Sequence, residues 1–209
     1  MLRARWLGRV AYDEALDLQR TLAAGSSDHL LLLEHPHTYT LGVNADPAHV
    51  LVDPAGVGAE LVSTDRGGDV TYHGPGQLVG YPIRTVTGRR GGGMADTVAY
   101  VHSVEQVLID ALGALGLTDV GRLDRYPGVW VDPGSGFPRK IAAIGVRLSR
   151  ARSMHGFALN IHPDLTMFDH IVPCGIDDLG VTSLAAEGIE ATMREAVDAV
   201  VDAATAAWG

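Results

Sequence analysis

The sequence is nearly free of cysteine, since Cys174 is the only thiol in 209 residues. A single cysteine cannot form an internal disulfide, and with no cysteine pair beside its nine histidines a structural zinc site is not expected. The sequence also lacks an apolar run of 18 residues and an apolar core behind the arginines of the N-terminal MLRARWLG. These absences predict a soluble, cytoplasmic protein with no signal peptide and no membrane contact.

The balance of charge limits the possible partners. The net charge of −9 argues against nucleic acid as the main partner, because phosphate binding requires a dense basic surface. Between Arg122 and Arg152, however, seven basic residues face two acidic ones, a local balance of +5. This segment, and its arginine-rich part at 139–152 above all, could steer an acidic partner protein onto the surface. A merely solvated face is the alternative.

Length and pattern predict the architecture. A chain of 209 residues with 46% hydrophobic residues can bury one substantial core, so residues 1–209 are expected to form a single domain. Helical spacing in YDEALDLQRTLAA and VAYVHSVEQVLIDALGAL predicts two helices, the second with Asp96 as its N-cap. A capping box formed by Thr192 and Glu195 predicts a third helix near the end of the sequence. Short strand-like runs joined by tight turns fill the middle, which favours antiparallel pairing. The predicted fold class is α+β, with mixed β-sheets flanked by helices.

Lys140 is the only lysine, against 15 arginines. Wherever a positive charge alone was needed, arginine served, so this one position suggests a role that a guanidinium cannot fill. Lysine differs because it can lose its proton when desolvated and because it donates from a compact ammonium group. A surface lysine present by chance is the alternative.

Cys174 lies in the stretch HIVPCGI, between a proline and a glycine, which predicts an exposed and sharply bent backbone. A cysteine that serves as a small core residue would more often lie among aliphatic side chains. Thiol chemistry requires the thiolate, which a neighbouring cation stabilises. Cys174 as nucleophile and Lys140 as its activator therefore form a consistent pair. His73, His155 and His170 are the competing partners for the thiol.

The stretch RGGDVTYHGPGQLVGYP, residues 66–82, is rich in glycine. Glycines let the backbone approach a ligand closely, so this stretch predicts a ligand wall, with an ordinary tight hairpin as the alternative. Gly156 in HGFALN has the same potential on a predicted strand. Neither a phosphate loop nor a dinucleotide fingerprint is present, so no nucleotide cofactor is expected.

Several motifs together resemble one family. RGGDVTYHGPGQLVGYP, KIAAIGVRLSRARSMHGFALN and DLTMFDHIVPCGI are similar to the motifs of the lipoyl(octanoyl) transferases, and LLLEHPHTYTLG and VTSLAAEG match in the same order. The resemblance spans nearly the whole chain. It implies the fold of the biotin and lipoate protein ligases. It also implies transfer of an octanoyl group from octanoyl-acyl carrier protein to a lysine of lipoyl domains, without a metal or other cofactor.

The resemblance also implies partners and site residues. The acceptors would be the lipoyl domains of 2-oxo-acid dehydrogenase E2 subunits and the glycine cleavage H protein. Cys174 would carry the acyl thioester and Lys140 would tune it. The acyl group would be bound by Arg66, Gly67, Gly68, Asp69, Val70, Thr71, Tyr72, His73, Ala143, Ile144, Gly145, Gly156, Phe157 and Ala158.

Two other functions fit parts of the sequence. An ATP-dependent lipoate or biotin ligase of the same fold would use Lys140 to contact an acyl-adenylate but would give Cys174 no role. A non-enzymatic acyl carrier would need no reactive thiol. Dependence of the transfer on ATP separates the first alternative from the transferase.

Overall fold

A computed structural model of the protein describes residues 1–88, 95–172 and 180–209. Within these ranges the chain forms three α-helices and eleven β-strands. The helices are α1 (Tyr12–Ala23), α2 (Thr97–Ala114) and α3 (Met193–Trp208). The strands are β1 (Arg3–Arg9), β2 (His29–Glu34), β3 (Thr38–Leu41), β4 (Glu60–Ser63), β5 (Val70–His73), β6 (Gln77–Ile83), β7 (Val120–Leu123), β8 (Tyr126–Val131), β9 (Arg139–Ser149), β10 (Arg152–Asn160) and β11 (Gly180–Val181).

The strands form two mixed sheets. In the part of the chain that the structure describes, the large sheet has eight strands in the order β1-β2-β6-β10-β9-β8-β7, with β11 paired to β9, and the small sheet has the order β4-β3-β5. The pairs β1–β2, β3–β4 and β9–β11 are parallel, whereas the other pairs are antiparallel. The predicted fold class, mixed sheets flanked by helices, is therefore confirmed.

Helices cover both faces of the large sheet. Helices α2 and α3 pack on one face, against Leu30, Leu32 and Phe157 among others. Helix α1 packs on the other face, where Leu31, Leu33 and Ala158 lie. Strand β2 is thus buried on both sides, which explains why its sequence is a continuous run of leucines and does not alternate with polar residues.

Side chains cap the N-termini of α2 and α3 as predicted, whereas α1 has no side-chain cap. Asp96 precedes α2, and its side chain accepts a hydrogen bond of 2.9 Å from the Ala99 N–H. Thr192 and Glu195 form the reciprocal bonds of a capping box at the start of α3. Each cap satisfies backbone N–H groups that have no partner within the helix. No helix of the described ranges is long and apolar enough to cross a membrane.

Strand β9 carries a bulge next to Lys140. Val129 pairs with Ala142, whereas the next residue of β8, Trp130, pairs with Lys140. One step along β8 therefore corresponds to two steps along β9, and Ile141 is the extra residue. As a result the adjacent residues Ile141 and Ala142 both pack on the α2 side. Lys140 and its partner Trp130 therefore lie on the opposite face, the α1 side of the sheet.

Candidate active site

A cavity of about 600 Å³ lies along the hairpin formed by β9 and β10. Its other walls come from residues 66–73, from Tyr12 of α1 and from the beginnings of α2 and β8. The predicted residues that line it are Arg66, Gly67, Gly68, Asp69, Val70, Thr71, His73, Lys140, Ala143, Ile144, Gly145, Gly156, Phe157 and Ala158. Three segments that are distant in sequence are thus brought to one cavity.

Two predicted site residues are placed differently or not described. Tyr72 is not among the residues that line the cavity, since its side chain is buried in the core between the small sheet and residues 165–171 and its hydroxyl is 2.7 Å from His37 Nδ1. The side chains of neighbouring strand residues point to opposite faces, which accounts for the difference between Tyr72 and its neighbours Thr71 and His73. Cys174 lies outside the described residues. Close to it in sequence, the Val172 N–H donates to His49 O, and Gly180 pairs with Arg139.

The cavity has a smooth floor made of small residues. Ala143 lies opposite Ala158 and Gly145 lies opposite Gly156 in the antiparallel register of β9 and β10. Ala158 packs with the α1 side of the sheet, so all four residues face that side. We call this set the groove floor. It lies on the same face as Lys140 and gives a flexible alkyl chain a surface without protruding side chains.

The glycine-rich segment is attached to the free edge of β9. Strand β8 pairs with β9 only as far as Ala142, and beyond it the Gly67 N–H donates to Val146 O. A Cβ atom on Gly145 would lie 2.9 Å from Gly67 O, so only glycine permits this close approach. Arg66 is buried and its guanidinium donates to both Thr40 O and Thr40 Oγ1. These contacts fix the segment as one wall of the cavity.

Lys140 is held against an aromatic ring. Its Nζ lies 4.7 Å from the centroid of the Trp130 ring, a distance that gives a cation–π interaction. Trp130 is itself fixed, because it is only 1% exposed and its indole N–H donates to Tyr126 O at 3.0 Å. The side chain of Lys140 also passes close to Gly128, whose φ of 133° no residue with a side chain adopts easily. These contacts with Trp130 and Gly128 fix the position of the Lys140 ammonium group at the cavity.

An ion-pair network holds β11 beside Lys140. Arg139 donates to Glu187 at 2.9 Å and to Asp132 at 2.7 Å, and it lowers the pKa of Glu187. Glu187 also accepts a hydrogen bond from the Thr182 hydroxyl, while the Thr182 N–H donates to Lys140 O. The strand that follows the cysteine-containing segment in sequence is therefore anchored to the strand that carries the lysine.

The wall toward α1 contains buried tyrosine and histidine side chains. Burial raises the pKa of Tyr12 to about 12 and lowers the pKa of His73 to about 3. His73 Nδ1 is 2.8 Å from Gln77 Oε1, and His35 Nε2 is 2.7 Å from the Tyr81 hydroxyl. At neutral pH these groups are uncharged, so this wall adds polarity but no charge to the cavity.

His155 forms part of the same wall and has an unusual backbone. It is 1% exposed and its φ is +57°, in the left-handed region that residues with side chains seldom occupy. Its Nε2 is 2.7 Å from Asp65 Oδ1, and Asp65 also pairs with Arg147. Burial lowers the pKa of His155 although Asp65 opposes this effect, which favours a neutral imidazole that donates from Nε2 to the carboxylate.

Most of the basic segment is neutralised by carboxylates. Arg122 pairs with Glu105, Arg139 with Glu187 and Asp132, Arg147 with Asp65, and Arg152 with Asp28. Arg152 also donates to Ser27 O, and its side chain is only 12% exposed. Only Arg125 and Arg150, at turns with positive φ, are exposed without a carboxylate partner among the described residues. The local charge of +5 is thus not one open basic surface.

Sequence reasoning did not identify several residues that line the cavity. Tyr12, Asn44, Tyr81, Thr97, Val101, Arg125, Tyr126, Pro127, Val146 and His155 come from elements that meet the cavity only in three dimensions. Of these, His155 had been considered as a partner for the thiol, Tyr81 lies in the glycine-rich stretch 66–82, and Arg125 lies in the basic segment. In the described part of the chain no group of three or more potential metal ligands is present.

The fold is that of the lipoate and biotin protein ligases. The lipoate protein ligase from Thermoplasma acidophilum superimposes with a TM-score of 0.77 at 17% identity, over 99% of this chain and 84% of that chain. The biotin protein ligase from Aquifex aeolicus gives a TM-score of 0.54 at 12% identity, over 98% of this chain and 69% of that chain.

Sequence comparison defines the family. The model of the lipoyl protein ligase A/B catalytic domain matches residues 9–205, and the chain belongs to this family. Proteins named octanoyltransferase are similar to it, at 49% identity in Mycobacterium marinum (95% of this chain, 86% of the relative) and 48% in Solibacter usitatus (91% and 86%). The resemblance to the lipoyl(octanoyl) transferases that the motifs indicated is therefore confirmed.

Proposed function

We propose that the protein is an octanoyltransferase that moves an octanoyl group from octanoyl-acyl carrier protein, through a thioester on Cys174, to a specific lysine of lipoyl domains. The observation that carries the proposal is the position of Lys140, the only lysine, at a cavity whose floor consists of small residues. The names of the relatives at 48% and 49% identity support the same reaction. The single family match over residues 9–205 supports one catalytic domain over 1–209.

The groove floor suits the acyl chain. A saturated chain offers no hydrogen bonds, so its affinity comes from burial, at about 0.8 kcal/mol per methylene. Ala143 and Ala158 leave room for the chain nearer to Lys140, and the backbone of Gly145 and Gly156 lines the cavity further along. A polar or charged substrate would gain little from this surface.

In the first step, the Cys174 thiolate attacks the thioester carbonyl of the donor. The new carbon–sulfur bond forms, the bond to the carrier sulfur breaks, and the carrier leaves as a thiol after taking up a proton. The Lys140 ammonium would stabilise the thiolate before the attack and could supply that proton.

In the second step, the amine of the acceptor lysine attacks the Cys174 thioester. An amide forms, the carbon–sulfur bond breaks, Cys174 returns to the thiolate, and the amide nitrogen releases its remaining extra proton to solvent. The acceptor lysine is mostly protonated at neutral pH and must lose a proton before it attacks. Neutral Lys140 would accept this proton and return to the ammonium form. A thioester is already activated, so neither step requires ATP.

The proposed acceptors are the lipoyl domains of 2-oxo-acid dehydrogenase E2 subunits and the glycine cleavage H protein. Of the arginines in the basic segment, Arg125 and Arg150 are the exposed ones without a described carboxylate partner, so they are the candidates for contact with an acidic donor or acceptor. Arg139, Arg147 and Arg152 would act mainly through their own ion pairs.

The test is intact-mass measurement after incubation with octanoyl-acyl carrier protein and no ATP. We expect one octanoyl adduct, located on Cys174 by peptide mapping and absent from Cys174→Ser. An adduct elsewhere, or one that forms only with ATP, would refute the proposal and favour the ligase.

Two variants separate the proposed duties of Lys140. Lys140→Met should lose both thiol reactivity and transfer. Lys140→Arg should keep a positive charge beside the thiol but lose most transfer, since a guanidinium does not deprotonate in this range. Transfer by Lys140→Arg at the wild-type rate would show that Lys140 is only a fixed charge.

A further inference from the structure

We propose that His155 limits the length of the acyl chain, because its imidazole forms the end wall of the groove on the side away from Lys140. This inference rests on the proposed function, in which the thioester is held near Lys140 and the alkyl chain extends along the groove floor. It assigns to His155 a role in specificity and no role in the chemistry.

The register of the hairpin shows where the floor ends. Along β9 the pair Ala143–Ala158 is followed by Gly145–Gly156, and the next pair on the same face is Arg147–Met154. Both of these residues have long side chains, and Met154 packs against Tyr12 and Leu16 of α1. The smooth surface therefore stops two residues, about 7 Å, beyond the Gly145–Gly156 pair.

The backbone of His155 brings its side chain to this point. Regular alternation would direct residue 155 toward α2, as it does for its neighbour Phe157. The left-handed conformation instead turns the His155 N–H out of the ladder to donate to Gln19 Oε1 of α1 at 2.7 Å. The imidazole reaches Asp65, which also pairs with Arg147 on the α1 side. His155 is thereby held from two directions beside the end of the floor.

The backbone conformation and burial of His155 lower the stability of the folded protein. A left-handed non-glycine residue costs about 1 kcal/mol or more. In addition, His155 Nδ1 is buried without a hydrogen-bond partner among the described residues. Backbone strain and an unpaired buried nitrogen at one residue that lines a cavity indicate a position kept for function. A neutral imidazole of fixed orientation is a suitable stop for the terminal methyl group of an alkyl chain.

The cavity also offers the acyl chain a second path, which does not lead to His155. The cavity also has an extension on the α2 side of β9, lined by Val101, Tyr126 and Pro127 together with Ile144. A chain that passed around the free edge of β9 would enter this extension and would not meet His155. The groove floor and Lys140 share the α1 face, which favours the His155 end.

The experiment measures kcat/KM for hexanoyl, octanoyl, decanoyl and dodecanoyl thioesters of the carrier protein. Glycine adopts the left-handed region without strain and removes the ring, so His155→Gly should accept longer chains. At about fourfold per methylene, the ratio of decanoyl to octanoyl should rise by about 15-fold over wild type. His155→Asn, a smaller residue that tolerates the left-handed region, should shift the ratio in the same direction if His155→Gly does not fold. The control Val101→Phe fills the other extension and should leave the ratio unchanged.

An unchanged ratio in folded His155→Gly and His155→Asn, with equal loss for all chain lengths, would overturn the inference and leave His155 a structural residue. A drop in the decanoyl to octanoyl ratio for Val101→Phe alone would overturn it as well, because the chain would then run toward α2. In both cases an octanoyl adduct on wild-type Cys174 would show that the proposed function still holds. Absence of that adduct would refute the proposed function itself.

Discussion

Replacing Trp130 should weaken the reactivity of the cysteine although Trp130 is not expected to touch the substrate. The ring lies 4.7 Å from Lys140 Nζ and is 1% exposed, so the interaction is partly shielded from water. A cation–π contact of this kind is worth about 1 kcal/mol, between the values for exposed and desolvated pairs. If the cation–π contact no longer holds the Lys140 ammonium in place, a loss of about 1 kcal/mol corresponds to about a fivefold decrease in the rates that depend on this ammonium.

The assay compares Trp130→Leu, Trp130→Phe and wild type in the rate of Cys174 alkylation by iodoacetamide and in single-turnover octanoyl transfer. We expect both rates to fall about fivefold in Trp130→Leu and less in Trp130→Phe, which keeps an aromatic face. Because Trp130→Leu also removes buried volume, its stability should fall by up to about 3 kcal/mol, and its folding must be verified by thermal unfolding.

Trp6 supplies the matched control. It is an exposed tryptophan on β1, so Trp6→Leu should leave alkylation, transfer and stability nearly unchanged. If folded Trp130→Leu alkylates and transfers at wild-type rates, the ring does not position Lys140 and the reasoning is wrong.

Three further predictions concern stability. Arg152→Ala should lower the free energy of unfolding, measured by urea titration, by about 2 kcal/mol, because it leaves the partners of Arg152 unpaired. The control Arg150→Ala should change it by less than about 0.5 kcal/mol. Equal effects of the two substitutions would contradict the assignment of Arg152 to a structural ion pair. Gly156→Ala should fold poorly, because its Cβ atom would overlap backbone atoms of β6. The control Gly113→Ala lies in open space on α2 and should raise the melting temperature slightly. A wild-type melting temperature for Gly156→Ala would refute the close packing at this position. Burial lowers the pKa of His73 from 6.5 to about 3, so below pH 6.5 the unfolded chain binds a proton at this residue that the folded protein does not bind. The contribution of His73 to the free energy of unfolding is therefore complete above pH 6.5 and falls by about 1.4 kcal/mol for each pH unit below it. If a His73→Gln variant showed the same dependence of the free energy of unfolding on pH between pH 7 and 5, this account would be contradicted.

Much of the secondary structure could be predicted from local signals. The capping box at Thr192 and the cap at Asp96 are formed by residues three apart, and both were visible in the sequence. Of the groove floor, Gly156 was recognised from the sequence itself as a candidate for a ligand wall, whereas Ala143, Gly145 and Ala158 were implied by the family resemblance. Their pairing could not be read from sequence, because it depends on the register between β9 and β10.

Other features depend on contacts that are distant in sequence. Arg152 and Asp28 are 124 residues apart, so nothing local distinguished this buried arginine from the exposed Arg150. The left-handed backbone of His155 was equally hidden, since histidine seldom adopts it and the surrounding sequence is that of an ordinary strand. Only the pairing of β8 with β9 places Trp130 next to Lys140, and nothing in the local sequence indicates this contact.

The bulge at Ile141 decides which face of the sheet Lys140 occupies. Side chains alternate along a strand, so the single extra residue decides whether Lys140 and the groove floor share a face of the sheet. In a regular strand Lys140 and Ala143, three positions apart, would point to opposite faces of the sheet. Deleting Ile141 would remove the bulge and leave them two positions apart, so regular pairing with β8 would keep both on the α1 side. The bulge thus allows one extra residue in β9 while the proton-transfer group and the acyl groove stay on one face of the sheet. Replacing Ile141 by Val, which keeps the count of residues, should leave both on the same side.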